Sequence, residues 1–161
     1  MRYSLPFENV ATSAVADTIK TLAALIGNVT LAGTRARIRA LTIGFADDGP
    51  ADRNVNLRLQ RTNNASAGTA GTSVTAANMP QKDTGSIISL LAGAANYSVE
   101  PTTFEANPIW SDELNDRNGL IKEWDPDEAP KIIGIQTMCL RAAPRAAFVS
   151  SLSGAIEFEL Y

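Results

Sequence analysis

The side chains of this chain that could do chemistry are carboxylates grouped in short stretches. Asp112 and Glu113 form one group, and Asp125, Asp127 and Glu128 form another. Paired carboxylates can hydrolyse a glycosidic bond, provided that one of them lies in an apolar cleft that separates the two pKa values. Both groups lie among turn-forming residues, where we expect water rather than a cleft. The sequence therefore predicts that the chain is not an enzyme and has no catalytic residue.

Metal and cofactor sites lack the residues they would need. The chain has no histidine, which is the most common general base and metal ligand, and it has one cysteine, Cys139, in an apolar stretch. Three aspartates at residues 47–52 lack the alternating spacing of a calcium loop. No phosphate loop, nucleophile elbow or zinc-spaced cysteine pair occurs. We expect no metal, no cofactor and no cofactor-binding residue, and we expect Cys139 to be buried.

Composition limits the class and the partners. A chain of 161 residues that is 45% apolar and 19% charged is long enough to bury a core as one globular domain. The net charge of −3 argues against a nucleic-acid partner, because binding to phosphates needs a basic surface. No apolar run approaches the roughly 18 residues of a membrane helix, and residues 1–6 lack the features of a secretory signal, so we expect no membrane partner.

Apolar and polar residues alternate in several runs, which is typical of half-buried strands. Residues 53–61 place Val55, Leu57 and Leu59 on one face. Residues 155–161 repeat the pattern, and residues 86–99 and 131–141 are apolar enough for central strands. Eleven Gly and eight Pro separate these runs at short intervals, as they do in a sandwich or barrel. The sequence predicts an all-β fold, a single-domain antiparallel β-sandwich.

An arginine stripe lies in the strand predicted over residues 34–46. Arg35, Arg37 and Arg39 share one face, and the apolar set then changes parity, which predicts a β-bulge near Ala40. The stripe fits two interpretations. It could bind a partner, or it could pair across strands with the acidic face formed by Glu157 and Glu159.

Two hairpins follow from turn signals. Residues 151–154 contain turn formers between the runs 146–151 and 155–161. The pair Asn118-Gly119 favours a turn between residues 109–113 and 120–124, which predicts a projecting hairpin with Trp110 on one arm and Trp124 on the other. These indoles could anchor a partner or fill the core.

Two further segments have ambiguous or low-complexity patterns. Residues 13–26 have the three-and-four apolar spacing of an amphipathic helix, and a strand over residues 18–25 is the alternative. Residues 62–72 are small and polar, which predicts a mobile surface loop.

The chain resembles the capsid decoration, or cement, proteins of tailed phages, which have a jelly-roll-like β-sandwich. The resemblance covers nearly the whole chain and rests on patterns of strands and turns. They are Met-Arg-Tyr-Ser-Leu-Pro at residues 1–6, Arg-Ala-Arg-Ile-Arg at 35–39 leading into Ile-Gly-Phe at 43–45, Glu-Pro-Thr at 100–102, Ile-Lys-Glu-Trp at 121–124 and Ala-Ile-Glu-Phe-Glu-Leu at 155–160.

The resemblance implies a structural virion protein, made in the host cytoplasm, that binds the outer surface of a phage capsid and cements neighbouring capsomers. Its implied partners are the major capsid protein and two further copies of itself in a homotrimer. It also implies an N-terminal arm at residues 1–10, a β-sandwich domain at residues 11–161 and a strand within residues 13–26. The protein-interface residues expected from the arm, from the arginine stripe and from the two indoles are Tyr3, Leu5, Pro6, Phe7, Arg35, Arg37, Arg39, Trp110 and Trp124.

Two alternatives keep a binding role. One is a carbohydrate-binding β-sandwich, in which Trp110 and Trp124 would form an exposed, coplanar stacking platform. The other is a virion protein of the tail or of the head-to-tail connector.

Overall fold

The computed structural model describes residues 2–27, 35–46, 53–63, 68–74, 77–79, 91–115 and 117–161. These residues form twelve strands, and none of them belongs to a helix that could cross a membrane. The predicted all-β class is confirmed. The strands are β1 (Arg2–Ala11), β2 (Lys20–Gly27), β3 (Arg35–Phe45), β4 (Asn54–Asn63), β5 (Thr69–Val74), β6 (Ala77–Met79), β7 (Leu91–Val99), β8 (Trp110–Asn115), β9 (Leu120–Glu123), β10 (Lys131–Ile133), β11 (Gln136–Pro144) and β12 (Ser151–Leu160).

Two antiparallel sheets pack face to face. Sheet A has the order β10-β3-β12-β1-β6, with β9 also paired to β3, and sheet B has the order β5-β7-β2-β11-β4-β8. The pairing is nested, since β1 pairs with β12, β2 with β11, β3 with β9 and β4 with β8. This is the strand order of a jelly roll, with β5 to β7 inserted between β4 and β8. The expectation of a jelly-roll-like sandwich is confirmed.

The core lies between the sheets and follows the two-residue alternation of the sequence. Val55, Leu57 and Leu59 are all fully buried, as are Ile156 on β12 and Leu140 on β11. A second, smaller cluster on the outward face of sheet B contains Ala24, Ala94, Tyr97 and Cys139. The burial of Cys139 agrees with the prediction.

The change of parity in β3 is a β-bulge, as predicted. Ala40 lies opposite Glu157, while Ile38 lies opposite Phe158, so Arg39 has no opposing residue on β12. The extra residue lets Ile38 and Leu41, three positions apart, both point into the core.

The prediction of a free N-terminal arm is wrong for residues 2–10, since they belong to β1. This strand pairs with β12 along most of its length and with β6 at residues 2–4. Tyr3, Leu5 and Phe7 are at most 4% exposed, because their alternation turns all three side chains into the core. They cannot form a docking surface in this fold.

The helical interpretation of residues 13–26 is also wrong. Residues 13–19 form turns and loop, and β2 occupies Lys20–Gly27. Its apolar residues are buried on both faces, Leu22 and Leu25 in the main core and Ala24 in the second cluster. A strand that is apolar on both faces does not alternate, so its spacing can imitate that of a helix.

Neither predicted hairpin forms. β8 pairs with β4 in sheet B and β9 pairs with β3 in sheet A, so the turn at Asn118-Gly119 joins the two sheets. Residues 151–154 are not a turn but the beginning of β12.

The predicted strand over residues 131–141 is divided. Gly134, with a φ of 61°, lies in the turn between β10 in sheet A and β11 in sheet B. β4 and β5 extend into the predicted loop at 62–72, and residues 64–67 of that loop lie outside the described residues, as do 47–52 and 86–90.

Candidate functional site

Four charged side chains lie next to one another on the outward face of sheet A. Lys131 is opposite Arg37, Arg37 is opposite Glu159, and Glu159 is opposite Arg2, on the four neighbouring strands β10, β3, β12 and β1. Opposing residues of an antiparallel sheet point to the same side, so these side chains share one surface. With the two other arginines of β3 they define the basic patch, which consists of Arg2, Arg35, Arg37, Arg39 and Lys131.

Glu159 is the centre of this patch. The Nε atom of Arg37 donates a hydrogen bond to the Glu159 carboxylate, and Nη1 of Arg39 is 3.7 Å from the same oxygen. Nη1 of Arg37 also donates to the carbonyl oxygen of Pro126 at 3.2 Å, and its guanidinium lies 5.1 Å from the centre of the Tyr161 ring. The cross-strand pairing expected for the arginine stripe is therefore present at Glu159.

The remaining cations of the patch are not neutralised. Arg2, Arg35 and Lys131 are exposed, and within the described part of the chain their side chains have no ion-pair partner. The Nε and Nη1 atoms of Arg39 are buried without a hydrogen-bond acceptor. Five cationic side chains share this face with three carboxylates, Glu157, Glu159 and Glu123, so it carries two excess positive charges on a chain whose net charge is −3.

A charged hollow of about 380 Å³ adjoins the patch. Its wall includes Arg2, Arg39 and Glu157, together with Lys122 from β9 and Trp124, which directly follows that strand. The acidic turn at residues 125–129 forms its rim, where the carbonyl oxygen of Asp125 accepts hydrogen bonds from the backbone N–H groups of Glu128 at 3.1 Å and Ala129 at 2.9 Å. Cations and carboxylates thus occupy adjacent parts of one surface.

Trp110 and Trp124 meet where the edges of the two sheets come together. Their ring centres are 5.9 Å apart and their planes are inclined by 84°, and both indoles are half-buried against the core. Lys122 lies 5.6 Å from the Trp124 ring. An exposed, coplanar stacking platform is absent, so the expectation on which the carbohydrate-binding alternative depended is wrong.

The carboxylates considered for acid–base chemistry are exposed. Glu113 accepts a hydrogen bond from Nε of Arg145 at 2.7 Å, and Oδ1 of Asp112 accepts one from the Glu113 backbone N–H at 2.8 Å. Asp125, Asp127 and Glu128 are solvent-exposed in the acidic turn. Among the residues that the structure describes, no three His, Cys, Asp or Glu side chains come together as a metal site.

A partly buried ion pair lies on the outward face of sheet B. Arg141 donates to Oε1 of Gln60 at 3.0 Å, lies 3.7 Å from the carboxylate of Glu100 and covers the Phe104 ring at 3.7 Å. Glu100 accepts hydrogen bonds from the N–H of Thr21 at 2.8 Å and from its hydroxyl at 2.6 Å. Burial lowers the pKa of Arg141 and the Glu100 carboxylate opposes this. These contacts hold the segment after β7 against sheet B.

The thiol of Cys139, near this ion pair, is fully buried. Burial raises the pKa of Cys139 to about 12, and it also raises the pKa of Tyr97. Since the thiolate is the reactive form of cysteine, Cys139 has a packing role.

The structure separates the nine residues expected at an interface into three groups. Tyr3, Leu5 and Phe7 belong to the core, and the two tryptophans pack against each other at the edge of the sandwich. The other four lie on the outward face of sheet A, namely Pro6, Arg35, Arg37 and Arg39.

Sequence reasoning missed Arg2 and Lys131. Each is a single charge at the end of a strand, and only the register of sheet A brings them beside Arg37 and Glu159.

Comparisons with family models, with curated proteins and with solved structures give no significant match to this chain.

Proposed function

We propose that this chain is a non-enzymatic structural protein that binds a protein surface within a larger assembly, and that it docks through the outward face of sheet A. The observation that carries the proposal is the alignment of Lys131, Arg37, Glu159 and Arg2 across four strands. On this face three cations are exposed, namely Arg2, Arg35 and Lys131. A charged patch of this kind speeds the association with a partner of opposite charge and disfavours the binding of partners of like charge.

The proposed assembly is the outer surface of a phage capsid, with the major capsid protein as partner. This identity is supported by the resemblance of the sequence to decoration proteins of tailed phages, for which a jelly-roll sandwich is expected. The protein would belong to the virion and would cement neighbouring capsomers as a homotrimer. A site in the tail or connector remains the alternative, and mass spectrometry of separated heads and tails distinguishes the two.

Docking through a sheet face has a different energetic basis from docking through a flexible arm. A disordered arm loses conformational entropy when it binds, whereas side chains on a paired sheet are already ordered. A protein that binds only the mature capsid lattice stabilises that lattice by roughly 2.7 kcal/mol per site when its free concentration is a hundred times Kd. A trimer binds at several sites at once, and this avidity strengthens the binding further.

The test is co-sedimentation of the purified protein with capsids assembled from the major capsid protein of the same genome. We expect saturable binding to the mature capsid lattice. Light scattering of the free protein should give the mass of a trimer. Absence of binding to any capsid form would refute the capsid as partner. A monomer at high concentration would refute the trimer alone.

A further inference from the structure

We propose that the basic patch binds a carboxylate-rich surface of the partner protein. This inference rests on the proposed function and specifies the chemistry of the partner at the same site. It starts from the charges that the fold leaves without neutralisation, Arg2, Arg35 and Lys131, which are exposed and have no ion-pair partner among the described residues.

The patch is arranged in advance of binding. The Arg37 side chain is held by its hydrogen bond to Glu159, by the carbonyl oxygen of Pro126 and by the ring of Tyr161. With Nε and Nη1 engaged in this way, the Nη2 group of Arg37 is held in position to donate to a partner carboxylate. Because the side chain is already ordered, a partner carboxylate loses little affinity to ordering.

The spacing of the cations suits carboxylates on an extended segment. Arg35 and Arg37 are two residues apart on β3, which corresponds to about 6.8 Å along a strand. Lys131 lies beside Arg37 on the neighbouring strand, at about 4.8 Å. Acidic side chains at every second position of an extended segment repeat with the same period as the two arginines.

A nucleic acid fits this surface less well than an acidic protein does. Glu157 and Glu159 lie within the patch, and the acidic turn with Asp125, Asp127 and Glu128 borders it, so a phosphate backbone that crossed the patch would meet carboxylates. A bounded group of partner carboxylates can stay on the cationic part. The acidic turn would then repel a misplaced partner and fix the position of the correct one.

The test measures fluorescence anisotropy of a labelled oligoglutamate peptide as the protein is added. We expect binding that weakens as salt is raised, because the cations are exposed. The double variant Arg35→Glu/Lys131→Glu should bind about tenfold more weakly, since each reversal replaces an attraction with a repulsion. Neither side chain has an ion-pair partner among the described residues, so the variant should fold normally. The control is Arg117→Glu, an exposed cation in the turn between β8 and β9, and it should bind as the unmodified protein does.

Three results would overturn the inference. The first is the absence of peptide binding at low salt, and the second is binding by the double variant that equals that of the unmodified protein. The third is tighter binding of a DNA duplex than of a peptide of equal charge, which would make the patch a nucleic-acid site. The capsid assay separates this inference from the proposed function. If the double variant binds capsids as well as the unmodified protein does, the patch is not the docking face but the capsid proposal stands. If the unmodified protein does not bind capsids but binds the peptide through the patch, the partner is acidic but is not the capsid.

Discussion

Arg37 and Glu159, on the neighbouring strands β3 and β12, form the hydrogen-bonded ion pair around which the basic patch of sheet A is organised. Their side chains are 24% and 17% exposed, so the pair lies between a solvated surface contact and a buried one. Arg39 approaches the same carboxylate, and Glu159 therefore compensates two guanidinium groups. One carboxylate thus keeps two arginines close together on a surface that has an excess of cations.

Replacing this carboxylate should destabilise the protein. We expect Glu159→Gln to lower the free energy of unfolding by about 1 kcal/mol, because two partly desolvated guanidinium groups lose their counter-charge. Urea unfolding measures the change. The matched control is Glu157→Gln, on the same face of the same strand, which makes no ion pair among the described residues and should change stability by less than about 0.5 kcal/mol. Equal effects of the two variants would contradict the role assigned to Glu159.

The placement of residues 2–11 in the sheet predicts a large effect of a core truncation. Leu5→Ala should cost about 3 kcal/mol, because the leucine is fully buried between the sheets. Pro6→Ala, at the neighbouring exposed position, should cost less than about 0.5 kcal/mol. Thermal or urea unfolding of the free protein gives both values. If residues 2–11 were a free arm, neither substitution would change the stability of the isolated protein.

Arg141 and Glu100, the ion pair on the outward face of sheet B, should show a strong coupling in their contributions to the free energy of unfolding. Glu100→Ala removes the acceptor of both Thr21 hydrogen bonds and the counter-charge of Arg141, and we expect a loss of about 2 kcal/mol because Glu100 is still partly solvated. A double-mutant cycle with Arg141→Met checks the coupling. The double variant should be more stable than the sum of the single effects predicts. Strict additivity would mean that the pair contributes nothing.

The raised pKa of Cys139 gives a pH dependence of known sign. The native state holds the thiol protonated up to a pKa of about 12, whereas an exposed thiol ionises near pH 9. Below pH 9 the buried thiol makes its full contribution to the free energy of unfolding. This contribution is lost as the pH rises from about 9 to about 12, because only the unfolded state releases the proton in that range.

Cys139→Ala should flatten the alkaline decline of the free energy of unfolding. A decline of unchanged slope would show that other groups, such as Tyr97, account for all of it. In the native unmodified protein at pH 8 we also expect the thiol to resist a disulfide reagent until the protein unfolds.

The local parts of this fold could be predicted from the sequence. Alternation predicts β4, β3 and the second half of β12, and the change of parity in β3 predicts a bulge near Ala40, one residue from the unopposed Arg39. Each of these features depends on residues a few positions apart. The free cysteine in its apolar stretch was likewise correctly expected to be buried.

The pairing of strands could not be predicted in the same way. Asn118-Gly119 is a good turn sequence, but whether a turn joins partners in one sheet or strands of two sheets depends on residues far away in the chain. β1 looked like an arm because its partner, β12, lies at the other end of the sequence. The basic patch could not be predicted for the same reason. Arg2 and Lys131 lie on one surface only because β12 and β3 pair between their strands.

The nested pairing also has a consequence for synthesis on the ribosome. β3 and β1 are the neighbours of β12 on either side, so most of sheet A stays without its central strand until the last strand emerges. Until then the nascent chain exposes the apolar faces of β1 and β3, and such non-local pairing folds slowly. The basic patch needs side chains from β1, β3, β10 and β12, so it forms only after β12 has docked, and a partially synthesised chain does not yet present it.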